Sequence, residues 1–480
     1  MWQNTDKNGV SKMNRINKSI LRAYDIRGIY GENITEEVAE LIGKAFATIA
    51  VRKSGVTNAK IVTARDGRLS SPALAVALIK GLQSTGANVI DLGVGPSPLC
   101  YFAHQHLKAD GAIMLTGSHN PSEYNGFKMI CGEKPFYGDD IIKLGELAEA
   151  QDFVVGDAQQ LVKLDLRGEY VAKLLTGFDA NHAKPLKVVW DAGNGAAGEI
   201  TQILCERLKG EHIIINAEID GTFPNHHPDP TIAKNLVQLI EAVKTHKADF
   251  GVAFDGDGDR IGAVDAHGNI LWGDQMLVLF AREILSRKAG ATVIADVKAS
   301  QTLFDEVAKY GGNPIMWKTG HSHIKAKMKE TKAEIAGEMS GHIFFADGYL
   351  GYDDGVYAAV RLLNILSHNE QNLSEMRASI PQTFNTPEIK VECDDVRKFA
   401  VIEEIRNRLH QNIKDGATMQ VNEVDGLRVN VDGGWWLVRT SNTQPAIIVR
   451  CEAMEEQQLN HIITLVANEL QQSGLELKIH

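Results

Sequence analysis

The chain has 480 residues, 44% of them hydrophobic, and at roughly 150 residues per domain that is enough for three or four buried cores. A net charge of −11 with no concentrated basic arm argues against a nucleic-acid partner. No stretch reaches the ~18 consecutive apolar residues of a membrane span, so no membrane partner and a cytoplasmic location are expected.

In chain order, MWQNTDKNGVSKMNRINKSI has no apolar signal-peptide core, and residues 1–20 read as an N-terminal tail. Two phrases then return three times each. KIVTARDGR, KVVWDAGNG and ATVIADVKAS are strand-like runs, each ending at an aspartate and a polar turn. KADGAIMLTGSHN, KADFGVAFDGDGDR and KAEIAGEMSGH are a charged entry, a short apolar run and a glycine-punctuated loop. Runs this short, bounded by turn residues, predict buried strands with functional loops at their C-terminal ends. Helix-like stretches such as SPALAVALIKGLQSTG and TIAKNLVQLIEAVKTHK alternate with them, which predicts three related mixed α/β domains at 21–165, 166–268 and 269–382. From TPEIKVECDD onward, helix-like FAVIEEIRNRLHQ precedes strand-like GLRVNV, WWLVRT and AIIVRCEA, predicting a smaller C-terminal α+β domain at 383–480. The five cysteines are single, with no CxxC pair, so neither a disulfide framework nor a thiolate metal site is expected.

Four loops carry chemistry. In LTGSHNP, glycine directly precedes Ser118 and Asn-Pro follows, so the G-x-S-x-G acyl-transfer template fails. A serine that carries phosphate needs only a hydroxyl on a tight exposed loop beside a divalent cation. His119 reads as a hydrogen-bonding or positioning group, or as a plain turn histidine. Lys128 reads as a charge or proton source, or as a solvated lysine. In FDGDGDR, Asp255, Asp257 and Asp259 alternate with glycines, so three hard oxygen donors can converge on one cation, and Mg²⁺ suits them better than zinc. A calcium loop is excluded, because it needs glycine where Arg260 stands and glutamate where Ala266 stands. A haloacid-dehalogenase-type phosphatase, with Asp255 as nucleophile, stays open on this motif alone. In GEMSGH, Glu338 and Ser340 suit paired sugar hydroxyls, with Ser340 as a helix cap the alternative. In RTSNTQP, Arg439, Thr440, Ser441, Asn442 and Thr443 suit a phosphate cradle, with a polar hairpin turn the alternative. No G-x-x-x-x-G-K-S loop is present, so ATP binding has no support.

These four motifs, one per domain and in this order, resemble the α-D-phosphohexomutases, closest to their bacterial phosphomannomutase/phosphoglucomutase branch. RAYDIRG, ARDGRLS, FPNHHPDP, MWKTGHS and GYDDGVYAA agree with it, and the likeness runs from about Arg22 to the C-terminus. The resemblance implies a phosphoserine domain, a metal-binding domain, a sugar-binding domain and a phosphate-binding C-terminal domain around a central cleft. It implies that Ser118 is phosphorylated in the resting enzyme, and that Asp255, Asp257 and Asp259 hold Mg²⁺ with an oxygen on Ser118. Glu338 and Ser340 would grip the sugar O3 and O4. Arg439, Ser441, Asn442 and Thr443 would hold the non-reacting phosphate. Tyr24, Arg27, Lys128, Arg260, Lys298, His321 and His342 would line the cleft, with Lys128 and His342 the candidates for proton transfer and Arg27 supporting charge. The implied reaction interconverts hexose 1- and 6-phosphates, of mannose and/or glucose, through a hexose 1,6-bisphosphate that also serves as activator. Small sugar phosphates are then the partners, and a monomer is expected, with a dimer left open. Phosphoglucosamine mutase is the nearest alternative within the family, although glutamine usually stands there in place of Met339. A sugar phosphatase and a non-catalytic sugar-phosphate binding protein are the alternatives outside it.

Overall fold

The computed structural model describes residues 16–442 and 444–478. The chain forms two compact units, Met1–Gly273 with Ser340–Ser374, and Asp274–Met339 with Glu375–His480. Each holds sheets whose strands fall on the apolar runs of the sequence.

In the first unit, one sheet runs β1 (Ile26–Ile29), β5 (Tyr124–Cys131), β4 (Gly111–Leu115), β2 (Lys60–Arg65), β3 (Asn88–Val94), β7 (Val162–Lys163), with β6 (Lys134–Pro135) beside β5. A second runs β12 (Ile270–Leu271), β11 (Ile261–Asp265), β10 (Phe250–Phe254), β8 (Leu186–Asp191), β9 (Gly210–Ile215). In the second unit, β13 (Thr292–Asp296) lies between β14 (Asn313–Trp317) and β15 (Ile335–Gly337). The three sheets share one plan, in which a central strand pairs in parallel with the strand after it on one side and a third strand on the other. In the first two sheets an antiparallel strand follows the third. Strand order therefore reverses at the central strand, and the loops leaving the central and third strands meet at one sheet edge, the usual ligand position of α/β folds. Every residue of β4 and β10 is buried, as continuous apolar runs with helices on both faces require.

The helices are placed by local chemistry. In Glu36–Ser54, the Thr35 side chain accepts from Val38 N, two glutamates occupy the first turn, and Gly55 ends the helix at φ 73°. This helix lies so close to Ser71–Gln83 that a Cβ on Gly81 would stand 2.1 Å from the Glu40 carbonyl. Ala39 and Ile42 of the first helix and Leu78 of the second are buried in the same core.

The fourth sheet runs β17 (Phe384–Asn385), β22 (Ala446–Ala453), β21 (Gly434–Thr440), β20 (Leu427–Val431), β19 (Gln420–Asn422), with β18 (Ile389–Glu392) also on β22, and its pairings are antiparallel. Val401, Ile405 and Leu409 of the helix Arg397–Lys414 and Ile462, Val466 and Leu470 of Glu456–Gln472 share a core with Val429, Trp436 and Val449 of the strands. This is the expected α+β unit.

One expectation needs amendment. Of the segment read as a tail, residues 16–20 are packed: Asn17 caps a short 3₁₀ turn at Lys18–Ile20, and Ile16 and Ile20 are buried in the core of the first sheet. Residues 1–15 lie outside the described residues. The five cysteines are free thiols and four are buried. Among the described residues no helix is long and apolar enough to cross a membrane.

Candidate active site

Ser118 stands three residues beyond β4, in the left-handed region at φ 50°. Its amide donates to Thr116 Oγ1 at 2.7 Å, a turn that points the side chain toward the loop after β10. There Ser118 Oγ donates to Asp255 Oδ2 at 3.0 Å and lies 3.2 Å from His119 Nδ1. Asp255, Asp257 and Asp259 are fully buried, and one carboxylate oxygen from each falls within 4.8 Å of the others.

Burial and the two neighbouring carboxylates push Asp255 well above the ordinary aspartate range. Asp257 goes the other way: burial opposes its charge, but Lys128 and the Ser97 hydroxyl hold it down. Lys128 Nζ donates to Asp257 Oδ2 at 2.7 Å and to Asp259 Oδ2 at 2.5 Å. Burial opposes the Lys128 charge too, yet the three aspartates raise its pKa. Lys128 is therefore no solvated lysine; it is a buried ammonium between carboxylates. Ser97, first residue of the helix Ser97–His106, donates its hydroxyl to Asp257 Oδ2 at 2.5 Å and its amide to the Asp257 carbonyl at 2.8 Å.

Asp257 Oδ1 is buried with no hydrogen-bond partner among the described residues. Three buried carboxylates outnumber the two cations paired with them, Lys128 and Arg260, and a buried charge without compensation costs several kcal/mol. The all-oxygen donor set and the unpartnered Asp257 oxygen fit a hard divalent cation.

Cations and histidines surround this centre. Arg27 of β1 donates to Asn120 Oδ1, reaches the Gly117 carbonyl at 3.4 Å, and is fixed by Asp25 at 2.5 Å. Arg260 Nε lies 3.8 Å from Asp255 Oδ2 and donates to His342 Nε2 at 3.0 Å. His342 Nδ1 stands 3.2 Å from Asp353 Oδ2 and 3.5 Å from Asp259 Oδ1. With Nε2 accepting, the proton sits on Nδ1, facing carboxylates. His119 is held neutral by burial and by Arg260, Arg27 and Lys128. Tyr24 lies on the same segment as Arg27, partly buried, just before β1.

In the second unit the remaining candidates form a connected polar chain. Glu338, directly after β15, accepts from Gly320 N at 2.6 Å, and His321 begins the helix His321–Thr331. Thr319 N donates to Asp425 Oδ2 at 3.0 Å, and Asp425 takes Arg439 at 3.0 and 3.3 Å. Thr319 Oγ1 meets Asp296 Oδ2 at 3.1 Å, and Lys298 lies 3.9 Å from Asp296 while donating to Glu388 at 2.6 Å. Burial pushes Asp296 up to about 6 despite Lys298. Arg439 thus presents a guanidinium already aligned by a carboxylate.

Ser441 and Asn442 lie in the hairpin between β21 and β22, so the hairpin-turn reading of this loop is correct as to its backbone. Ser441 Oγ accepts from Gln444 N at 3.1 Å, and its carbonyl accepts from Lys398 at 2.8 Å. Thr443 lies outside the described residues. Ser340 groups with the first unit, and the helix-cap alternative fails: the chain turns at Gly341 (φ 87°) into the strand β16 (Ile343–Phe345).

Sequence reasoning missed Asp66, Arg68, Ser97, Asp296, Asp353, Glu388, Lys398 and Asp425. Asp66 and Asp296 did have a signal, the aspartate ending each repeated strand phrase. Asp66 accepts from Thr116 and Gly117 of the serine loop, and Asp296 from the Met339 amide. Asp191, their equivalent in the second sheet, meets His226 Nε2 at 2.9 Å.

Comparison with known proteins covers nearly all of this. Four phosphoglucomutase/phosphomannomutase domain models match in chain order, the alpha/beta/alpha domains I, II and III at residues 18–153, 168–268 and 272–384 and the C-terminal domain at 388–469. The chain is 43% identical to the phosphomannomutase/phosphoglucomutase of Pseudomonas aeruginosa over 94% of its length and 95% of the relative's. It is 42% identical to a phosphoglucomutase of Neisseria meningitidis serogroup A, over 94% and 96%. A crystal structure of a phosphoglucomutase/phosphomannomutase family protein from Burkholderia thailandensis superposes with a TM-score of 0.89 at 40% identity, covering 97% of this chain and 100% of that one.

Proposed function

The chain belongs to the phosphoglucomutase/phosphomannomutase family, and on that premise we propose that it moves a phosphoryl group between O1 and O6 of a hexose through Ser118. The substrates are hexose 1- and 6-phosphates of mannose and/or glucose, with hexose 1,6-bisphosphate as intermediate and activator. The observation that carries this reading is Ser118 Oγ, on a left-handed turn, 3.0 Å from the first of three converging carboxylates.

In the forward half-reaction the bond from Ser118 Oγ to phosphorus breaks while one forms to the free hexose hydroxyl. The hydroxyl proton passes to a base, and the departing Ser118 oxygen takes up a proton. His342 suits the base if its Nε2 takes the hydroxyl proton in place of the Arg260 N–H it accepts at rest, with Asp353 behind its Nδ1 to stabilise the imidazolium. Lys128, paired as an ammonium, suits charge stabilisation better than proton transfer, and Arg27 and Arg260 add to it. Mg²⁺, held by Asp255, Asp257, Asp259 and an oxygen on Ser118, would neutralise charge on the phosphoryl oxygens. His119, held neutral, orients Ser118 by hydrogen bonding.

Glu338 and Ser340 are assigned to the sugar O3 and O4, and Arg439, Ser441, Asn442 and Thr443 to the non-reacting phosphate. Tyr24, Lys298 and His321 are assigned to substrate contacts. Asp425 supports the Arg439 assignment, because it presents the guanidinium in a fixed plane. The names of the relatives favour this reading over a glucosamine-phosphate mutase or a dehalogenase-type phosphatase. The acidic net charge and the lack of a membrane-length helix among the described residues support a cytoplasmic enzyme without nucleic-acid or membrane partners. A monomer is the proposed state, with a dimer open.

A coupled assay on glucose 1-phosphate and mannose 1-phosphate, with intact mass and peptide mapping of the purified protein, tests the proposal. Isomerisation and a phosphate on Ser118 are expected. An unmodified Ser118 in an enzyme that turns over after incubation with hexose 1,6-bisphosphate would overturn it.

A further inference from the structure

The motif ARDGRLS has no part in the mechanism above, yet the second of its two arginines lies beneath the reacting loop. The Arg68 side chain is fully buried. Its Nε donates to Asp66 Oδ2 at 3.0 Å. Nη2 donates to the carbonyls of Ser118 and Asn120, both at 2.7 Å, and Nη1 to those of Pro121 and Tyr124. The same Asp66 oxygen accepts from Thr116 Oγ1 at 2.8 Å and Gly117 N at 3.1 Å.

A serine at φ 50° sits outside helix and sheet, so the carbonyls of its loop turn inward without ladder partners, and each would be costly to bury unsatisfied. One planar guanidinium with five N–H groups can satisfy them together; an ammonium, with three donors on one atom, cannot span them. The fit is tight. A Cβ on Gly117 would stand 2.4 Å from Arg68 Cζ, so the loop backbone lies directly on the guanidinium, while the Phe223 ring covers it at 5.2 Å.

We infer that Arg68 is a positioning residue for phosphoryl transfer, because its guanidinium fixes the loop backbone and thereby the place of Ser118 Oγ. The inference rests on the proposed role of Ser118. Misplacement of a reacting atom by about 1 Å costs about 10²-fold in rate. Arg68→Lys and, independently, Gly117→Ala are therefore expected to lower kcat by about 10²-fold, with KM within about 3-fold of wild type. Both should also lose the Ser118 phosphate to water faster, as read by intact mass over time. Rates are compared below each variant's unfolding temperature, so that lost stability does not pass for lost positioning. A folded variant with wild-type kcat, or one in which only KM rises, overturns the inference while Ser118→Ala remains inactive. An active Ser118→Ala overturns the Ser118 reading itself. If Arg68→Lys fails to fold, Gly117→Ala decides by the same readouts.

Discussion

The loop after β4 and the loop after β10 occupy equivalent places in two sheets of the same plan, but they are held in opposite ways. The Ser118 loop is held through its main chain, its carbonyls gathered by one buried arginine that arrives from the loop after β2. The Asp255–Asp259 loop is held through its side chains, three buried carboxylates that depend on donors from elsewhere, the Lys128 ammonium of β5 and the Ser97 hydroxyl among them. Shared topology fixes where a loop stands, and the residues reaching it from other elements decide what chemistry it can do.

The largest test of this contrast is Ser118→Ala, which should lower turnover on the order of 10⁴-fold or more without changing the unfolding temperature appreciably, because the hydroxyl is not what holds its loop. Measuring rate and melting together checks both halves. Asp257→Asn attacks the other loop. Turnover should fall about 10³-fold, and the Mg²⁺ concentration for half-maximal activity should rise, since a neutral amide neither balances Lys128 nor ligates a hard cation well. An unchanged Mg²⁺ titration would remove Asp257 from the metal site.

The helix Gly355–Ser367 sharpens the comparison through pH. Its first amide donates to the Gly258 carbonyl, and its cap Asp354 accepts from the hydroxyls of Tyr170 and Tyr349. Burial pushes Asp354 up to about 7. A carboxyl that holds its proton more tightly when folded stabilises most below its unfolded pKa of about 3.9, and that contribution disappears as pH rises through about 7. Between those limits the loss amounts to at most about 4 kcal/mol. Melting temperatures at pH 5 and pH 8 should therefore differ less for Asp354→Asn than for the wild type. The smallest effect is expected at Asp425→Ala, which frees Arg439: KM should rise about 10-fold with a lesser change in kcat.

Much of this was legible in the sequence because it was written locally. The strands KIVTAR, GAIML and FGVAF, the four polar loops and the aspartate triplet are each set by neighbours in the chain. Less legible was whatever the fold brings in from afar. Nothing in GFKM shows that Lys128 meets aspartates 129 and 131 residues later, and nothing in NEVDGL marks Asp425 as the partner of Arg439. Arg68 was hidden differently: it stood inside a recognised motif, but its donors go to main-chain carbonyls, which leave no trace in side-chain identity. The packing of Ile16 and Ile20 was missed because two apolar residues in a polar stretch form no periodic pattern.

Ser97 grips Asp257 twice, by amide and by hydroxyl, and in doing so rivets a helix of the first sheet to the carboxylate loop of the second. Warming or denaturant that opens this joint would spread nucleophile and carboxylates apart while both sheets stay intact. Inactivation should therefore run ahead of the loss of secondary structure, and the enzyme would fail as a machine before it fails as a fold.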